Sequence, residues 1–312
     1  MKISFITTIF NEEKNVGKLL DSLLIQSIKP TELIIVDGGS IDRTVSIIMD
    51  YESRIREKNI LFKCLIKSGN RSIGRNEAIK NATGDIIVCS DAGCILDKNW
   101  LKNITSPFSN DKVEVVAGYY SGKFENIFQK CLIPYALVMP DRIDPKNFLP
   151  ATRSMAFRKT IWKRANGFPE EYSHNEDFVF ANELKKKKVN IYFEKSAIAY
   201  WIPRNNLGSA FIMFYKFALG DAEARIFRPK VILIFIRYLL GVILLIFAVM
   251  SKSDFILYAL YFILFMYILW SIAKNYKYVL DIRAILILPI VQVVSDVAVI
   301  SGTIKGLLKY GI

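Results

Sequence analysis

The chain has 312 residues, which is enough for a full core and a second region. Its formal net charge of +13 suggests a nucleic-acid partner, but the basic residues are spread out and no nucleic-acid motif accompanies them. We therefore expect no nucleic acid among its partners. Four cysteines without a CxxC spacing and a single histidine exclude the known zinc patterns and predict reduced thiols. The first residues lack the features of a signal peptide, so the N-terminal region is expected to stay in the cytoplasm.

Residues 1–200 alternate between predicted strands and helices, which indicates right-handed crossovers and a mostly parallel α/β sheet. Strands are predicted at 2–9, 32–37, 60–66 and 86–89, and helices at about 14–27, from near Asp42 and from near Arg75. Ligands of such sheets bind outside the carboxyl ends of the strands. No G-x-G-x-x-G or P-loop motif is present, which argues against ordinary dinucleotide and P-loop functions.

Acidic residues follow three of the predicted strands. Asp37 and Asp91 come directly after apolar runs, and Glu12 lies just past the first strand. A turn role is the simpler explanation for Asp37, and an N-cap role is the simpler one for Asp42. Turns do not explain acids at the same end of several strands, so we predict a binding function for Asp37 and Asp91.

The composition changes near residue 229. Three apolar segments follow, at 231–250, 255–273 and 284–304, each about the 20 residues that a membrane-spanning helix needs. Pro289 and Asp296 interrupt the third segment, which must then pack against other helices or line a polar cavity; a re-entrant hairpin is the alternative.

We divide the chain into a catalytic domain at 1–205, an amphipathic or interfacial linker helix at 206–228 and a membrane region at 229–312. A packing helix of the first domain is an equal alternative for the linker. Basic residues flank the apolar segments on the side of the N-terminal region, so the positive-inside rule predicts a multi-pass protein of the cell membrane with a cytoplasmic catalytic domain. Two lysines in the C-terminal "KGLLKYGI" oppose this orientation.

Three longer stretches carry a resemblance to a known family. They are "TTIFNEEKNVGKLLDSLLIQSIKPTELIIVDGGSIDRT", "GNRSIGRNEAIKNATGDIIVCSDAGC" and "RSMAFRKTIWKRANGFPEEYSHNEDFVFANELKKKK". Their order and spacing resemble the inverting glycosyltransferase family 2, which has the Rossmann-like GT-A fold, and the resemblance covers roughly residues 2 to 200. It implies an enzyme of the hexosyltransferase type that uses a nucleotide-sugar donor.

The resemblance also implies roles for individual residues. Asp37 and Glu12 would bind the base and nucleoside of the donor, and Asp91 would lie by the ribose and a diphosphate-bound Mg²⁺ or Mn²⁺. Asp177, next to Glu176, would be the general base; the alternative is that both acids merely suit the first turn of a helix. His174 resembles a hydrogen-bonding loop residue more than a rival base.

The family's Asp-x-Asp motif is here Asp91-Ala92-Gly93, so one metal-binding acid is missing. The favoured interpretation is a metal held by Asp91, the diphosphate and water. The alternatives are a substitute side chain, weak metal dependence with Arg71 or Arg75 binding the diphosphate, or an inactive homologue, against which the intact Glu176-Asp177 argues.

Further candidates lie near the end of the first domain. Arg153 is predicted to contact a phosphate, and Trp201 and Arg204 either border the acceptor entrance or anchor the chain at a membrane interface. The Gln-x-x-Arg-Trp motif of processive synthases is absent, which favours transfer of one sugar. We expect a membrane-associated, lipid-linked acceptor, as in cell-envelope glycan synthesis. The alternatives are a polyprenyl-phosphate sugar synthase, a nucleotidyltransferase and a sugar-nucleotide-binding membrane protein without turnover.

Overall fold

The computed structural model describes residues 1–311. Contact density divides the chain into two units. The first contains Met1–Lys123 and Val138–Ile202, and the second contains Phe124–Leu137 and the chain from Pro203 onwards. The return of residues 124–137 to the second unit has no counterpart in the domain boundaries predicted from the sequence, which remain predictions.

Four parallel strands form one half of an eight-stranded sheet, in the spatial order β3-β2-β1-β4. The strands are β1 Ile3–Ile9, β2 Glu32–Asp37, β3 Leu61–Ile66 and β4 Ile86–Cys89, and the helices between them are α1 Val16–Leu24, α2 Thr44–Asp50, α3 Glu52–Arg56 and α4 Arg71–Asn81. Every residue of β2 and β4 is buried, as their unbroken apolar runs predict for strands covered on both faces. The predicted α/β fold is confirmed, and the four predicted strands match to within one residue at each end.

The other half of the sheet is mixed, in the order β4-β7-β6-β8-β5. Its strands are β5 Cys94–Leu96, β6 Val115–Gly122, β7 Met155–Arg158 and β8 Ile191–Trp201, and the helices between them in this unit are α5 Trp100–Thr105, α7 Lys159–Arg164 and α8 Glu176–Lys186. The helix α6 Ile127–Ala136 lies between β6 and β7 in the sequence but belongs to the second unit. Because β7 runs antiparallel to β4, Met155 at its start pairs with Cys89 at the end of β4. The residues just before β7 therefore lie at the same edge as the carboxyl ends of the parallel strands.

An aromatic cluster positions α8 against the sheet. The rings of Phe168 and Phe180 stack with centroids 4.1 Å apart, and Phe157 of β7 lies 5.9 Å from Phe180. All three side chains are fully buried, and burial of each is worth about 1.5–3 kcal/mol. This packing fixes the N-terminus of α8, which carries Glu176 and Asp177, at the carboxyl edge.

The second unit contains four further helices. They are α9 Leu207–Glu223, α10 Pro229–Ser251, α11 Asp254–Val279 and α12 Ala284–Tyr310. The last three are long and apolar enough to cross a membrane and correspond to the three predicted segments. α12 continues through Pro289 as one helix, so it does not form the re-entrant hairpin.

Two helices outside the apolar bundle pack on α12. Tyr135 of α6 donates a hydrogen bond to the carbonyl of Leu288 at 3.0 Å. α9 lies against Gly302 and Gly306, where an added Cβ would overlap the carbonyl oxygen of Tyr215 and the Cβ of Ala222. This small-residue spacing lets two helices approach closely. The packing partner of α9 is therefore α12. The linker was predicted as an interfacial helix or as a packing helix of the first domain, and neither alternative included this contact.

A polar cluster lies among the three apolar helices. Asp296 of α12, only 2% exposed, accepts hydrogen bonds from Arg237 of α10, from Tyr267 of α11 at 2.6 Å and from Gln292 at 3.0 Å. An unpaired charge at this place is costly in a bilayer. The requirement that Asp296 pack against other helices is met by this cluster.

Candidate active site

The residues predicted to bind the nucleoside shape the loops after β1 and β2. The buried Asp37 accepts hydrogen bonds from the backbone N–H groups of Gly39 and Ser40 at 2.8 and 2.7 Å. The half-buried Glu12 accepts one from the side-chain amide of Asn15 at 2.9 Å. Both lie at the carboxyl edge of the sheet, and Asp37 does hold the turn that was its simpler explanation. A role in donor binding stays a prediction for both.

Arg75 is the centre of the charged cluster at this edge. Asn70 caps α4 by accepting from the N–H of Ile73, and the helix carries the Arg75 guanidinium, which is 4% exposed, beneath the ends of β4 and β7. It donates to Glu176 at 2.6 Å, to Asp91 at 3.1 Å and to the hydroxyl of Thr152 at 2.9 Å. Two of the acids predicted from the sequence thus meet through one arginine.

The charges in this cluster set the protonation of its acids. Burial opposes ionisation of Asp91, but Arg75, then Arg153 and Arg71, outweigh it and lower the pKa of its carboxyl. Burial likewise opposes ionisation of Glu176, but Arg75, then Arg71, and hydrogen bonds to the carboxylate together outweigh it, so the pKa of Glu176 is also lowered. Both groups are carboxylates at neutral pH.

Within the described residues 1–311, Asp177 differs from its neighbour in making no ion pair with an arginine. It accepts from the N–H of Phe178 at 2.8 Å and, more weakly, from the N–H of Thr152 at 3.4 Å. Burial, followed by the adjacent charge of Glu176, raises the pKa of Asp177. Two neighbouring acids with pKa values moved in opposite directions are typical of a site that handles protons. Thr152 contacts both Arg75 and Asp177. It belongs to no recognisable sequence motif and was not among the predicted site residues.

Arg153 lies at the same edge, between two aromatic side chains. Its guanidinium carbon is 5.5 Å from the ring centroid of Tyr120 at the end of β6 and 5.7 Å from that of Trp201 at the end of β8. Trp201 is 7% exposed. The predicted residues Arg153 and Trp201 are thus in contact with each other and beside Asp91.

The two remaining candidates are Arg204 and His174. Arg204 is exposed and belongs to the second unit. His174 shares a hydrogen bond of 3.0 Å between its Nδ1 and the hydroxyl of Ser173, which fits the loop role expected for it.

The acids of this site do not fit a divalent cation held by the protein. Across residues 1–311 no three His, Cys, Asp or Glu side chains are grouped so as to hold a metal. Asp91 and Glu176 are both paired with Arg75. Gly93 supplies no carboxylate where the second acid of Asp-x-Asp would be. The Asp-x-Asp segment therefore offers a cation only the carboxylate of Asp91, which is shared with Arg75.

Comparison with known proteins identifies the fold and the family. The family model described as Glycosyl transferase family 2 matches residues 4–163, just over half of the chain. The chain belongs to glycosyl transferase family 2. The resemblance seen in the sequence is thereby confirmed, and so is the GT-A fold.

Curated relatives support the same family. A poly(ribitol-phosphate) beta-glucosyltransferase of Bacillus spizizenii is 25% identical over 240 residues, which cover 72% of this chain and 38% of the relative. The O-antigen chain rhamnosyltransferase RfbN of Salmonella typhimurium is 26% identical over 223 residues, covering 64% of this chain and 65% of the relative. The chain thus spans between about a third and two thirds of the curated relatives it matches.

Solved structures share the fold at lower identity. A mannosyltransferase, PcManGT of Pyrobaculum calidifontis in complex with GDP-Man and Mn²⁺, matches with a TM-score of 0.66 at 15% identity over 98% of this chain and 87% of that one. The TarS protein of S. aureus in complex with UDP-GlcNAc matches with a TM-score of 0.50 at 22% identity over 70% of this chain and 66% of that one. The match to PcManGT includes the apolar helices as well as the sheet.

Proposed function

We propose that this protein moves one sugar from a nucleotide-diphosphate sugar to a membrane-associated, lipid-linked acceptor, with inversion at the anomeric carbon. The observation that carries the proposal is Asp177, an acid with a raised pKa that lies beside an arginine cluster at the carboxyl edge of the GT-A sheet. Donor complexes of two proteins with this fold, with GDP-Man and with UDP-GlcNAc, support the donor class.

The site supplies the groups for a direct displacement. Asp177 takes the proton from the acceptor hydroxyl, whose oxygen then bonds to the anomeric carbon. The bond between that carbon and the diphosphate breaks, and its electron pair leaves with the nucleoside diphosphate. A raised pKa makes Asp177 a stronger base than an ordinary aspartate, and the lowered pKa of Glu176 keeps that residue paired with Arg75 during the step.

The three apolar helices support a substrate in or on a bilayer. They occur in the same chain as the catalytic sheet, and Arg225 and Arg228 before α10, with Lys230 in its first turn, suit an anionic membrane surface. The same residues support a cytoplasmic catalytic domain through the positive-inside rule. The absence of a Gln-x-x-Arg-Trp motif in the sequence supports transfer of one sugar.

The test uses the full-length protein in detergent with a panel of UDP-, GDP- and dTDP-sugars. Release of nucleoside diphosphate is measured with a polyprenyl phosphate, a lipid-linked saccharide and a water-soluble saccharide as acceptors. We expect turnover only with a lipid-linked acceptor. Equal rates with the water-soluble saccharide would contradict the lipid assignment while leaving glycosyl transfer in place.

A matched pair of variants tests the base. We expect Asp177→Asn, which keeps the shape and removes the proton acceptor, to lower kcat by about 10²–10⁴-fold. Glu183→Gln changes an exposed acid of the same helix and should leave kcat unchanged. Wild-type kcat in Asp177→Asn would remove Asp177 from the chemistry.

A further inference from the structure

Three arginines act on the three acids at this edge of the sheet, Asp91, Glu176 and Asp177. Arg71, Arg75 and Arg153 all act on the single carboxylate of Asp91. Only Arg75 is ion-paired with it, at 3.1 Å. Within residues 1–311, neither Arg71 nor Arg153 makes an ion pair with a carboxylate.

These two arginines differ in exposure and in what holds them. Arg71 is the first residue of α4 and its side chain is exposed. Arg153 is half-buried and held between the rings of Tyr120 and Trp201. A guanidinium in cation–π contact with aromatic rings keeps its hydrogen-bond donors for a ligand. Arg71 lies four residues before Arg75 on α4 and so shares its face of the helix, and Arg153 directly follows Thr152, to which Arg75 donates a hydrogen bond at 2.9 Å. Both side chains can therefore serve one ligand at this edge of the sheet.

The place of the missing acid is sterically open. A Cβ added to Gly93 would meet nothing within 4 Å, and its φ lies outside the left-handed region that favours glycine. A carboxylate would therefore fit here, and its absence is a difference in chemistry rather than a constraint of packing.

We infer that the donor diphosphate is neutralised by Arg71 and Arg153 in place of a divalent cation, with Arg75 holding Asp91 in position. This inference rests on the donor site of the proposed function. When the bond to the anomeric carbon breaks, the electron pair stays on the β-phosphate oxygen. Guanidinium groups bind phosphate oxygens through paired, charge-assisted hydrogen bonds and so stabilise that charge.

The test is binding of UDP, GDP and dTDP to the full-length protein by calorimetry, in EDTA and in Mn²⁺. We expect the preferred nucleotide to bind with the same Kd, within about threefold, under both conditions. Arg71→Ala and Arg153→Ala should each weaken binding in EDTA by about 10- to 100-fold, as loss of a hydrogen bond to a charged group does. Arg153→Lys keeps the positive charge but lacks the paired N–H donors of the guanidinium, and it provides a second variant at that position. Lys80→Ala, an exposed basic residue of the same helix, is the control and should bind normally.

Restoring the acid gives a test in the opposite direction. We expect Gly93→Asp to acquire a Kd at least tenfold lower in Mn²⁺ than in EDTA, together with Mn²⁺ binding detectable by electron paramagnetic resonance. Gly93→Asn, which has the same size without the charge, should acquire neither.

Each other outcome overturns the inference in a distinguishable way. If the wild-type protein binds its nucleotide more than tenfold more weakly in EDTA, a metal is required and only the inference fails. If none of the three nucleotides binds in EDTA or in Mn²⁺, the donor site fails and the proposed function fails with it.

Discussion

The two units each contain a buried ionic cluster, and the clusters are built in opposite ways. In the catalytic unit an arginine, Arg75, lies at the centre and two carboxylates surround it. In the apolar helices a carboxylate, Asp296, lies at the centre, and both of its oxygens accept hydrogen bonds from side chains of three helices. In the second cluster the central carboxylate is fully partnered by side chains of its own chain. Among residues 1–311 the first cluster leaves Asp177, Arg71 and Arg153 without an ion pair, as a site that receives a ligand requires.

Of the variants that test this comparison, the one without Arg75 should show the largest loss of stability and activity. In Arg75→Ala the carboxylate of Glu176, 5% exposed, loses its partner, and breaking a buried pair in this way costs about 3–5 kcal/mol. We expect the free energy of unfolding to fall by that amount and transfer to be lost. Denaturant titration in detergent, followed by intrinsic fluorescence, measures the first.

The control for Arg75 is a surface pair of the same unit. Arg164→Ala removes the partner of Glu114, and because the two side chains are 45% and 24% exposed, against 4% and 5% for Arg75 and Glu176, the loss should be below about 1 kcal/mol. Equal destabilisation by the two variants would contradict a special role for the buried cluster.

Removing the central residue of the Asp296 cluster should lower stability without changing nucleotide binding. Asp296→Ala leaves Arg237 unpaired among apolar helices, and we expect a loss of about 2–3 kcal/mol of stability. The double variant Arg237→Leu with Asp296→Leu should recover most of it, since apolar groups can replace a buried ion pair. Thermal unfolding in detergent measures both, and the nucleotide Kd should not change. A double variant as unstable as the single one would show that the pair does more than hold helices together.

The smallest effect concerns pH. Since a base acts only when ionised and the pKa of Asp177 is raised, activity should fall, as pH decreases, at a higher pH than for an ordinary aspartate of pKa about 3.9. Glu176→Gln removes the adjacent negative charge and should move the acidic limb of kcat/KM to lower pH. Glu183→Gln should leave the limb where it is, and an unmoved limb in Glu176→Gln would assign it to another group.

Local sequence patterns predicted the parallel strands, whereas contacts between residues far apart in the sequence could not be predicted. The strand Glu32–Asp37 was bounded correctly because an apolar run between turn residues is a local signal. The antiparallel strands β6 and β7 pair with each other although α6 and its flanking loops separate them in the sequence, and nothing in their own residues indicates that pairing. The ion pair between Arg75 and Glu176 joins residues 101 positions apart. The sequence could place both residues at the site but could not show that Arg75 serves its own chain's acids rather than the donor.

The close contact of α9 with Gly302 and Gly306 has a consequence for biogenesis. The last residue of α9 is Glu223 and the first of α12 is Ala284, so the ribosome finishes the first helix well before it begins the helix that covers it. At about 5–20 residues per second the interval is roughly 3–12 seconds. During that time the face of α9 that carries Ala218 and Ala222 has no α12 to bury it, and the translocation machinery or a chaperone must shield it until the last segment is inserted.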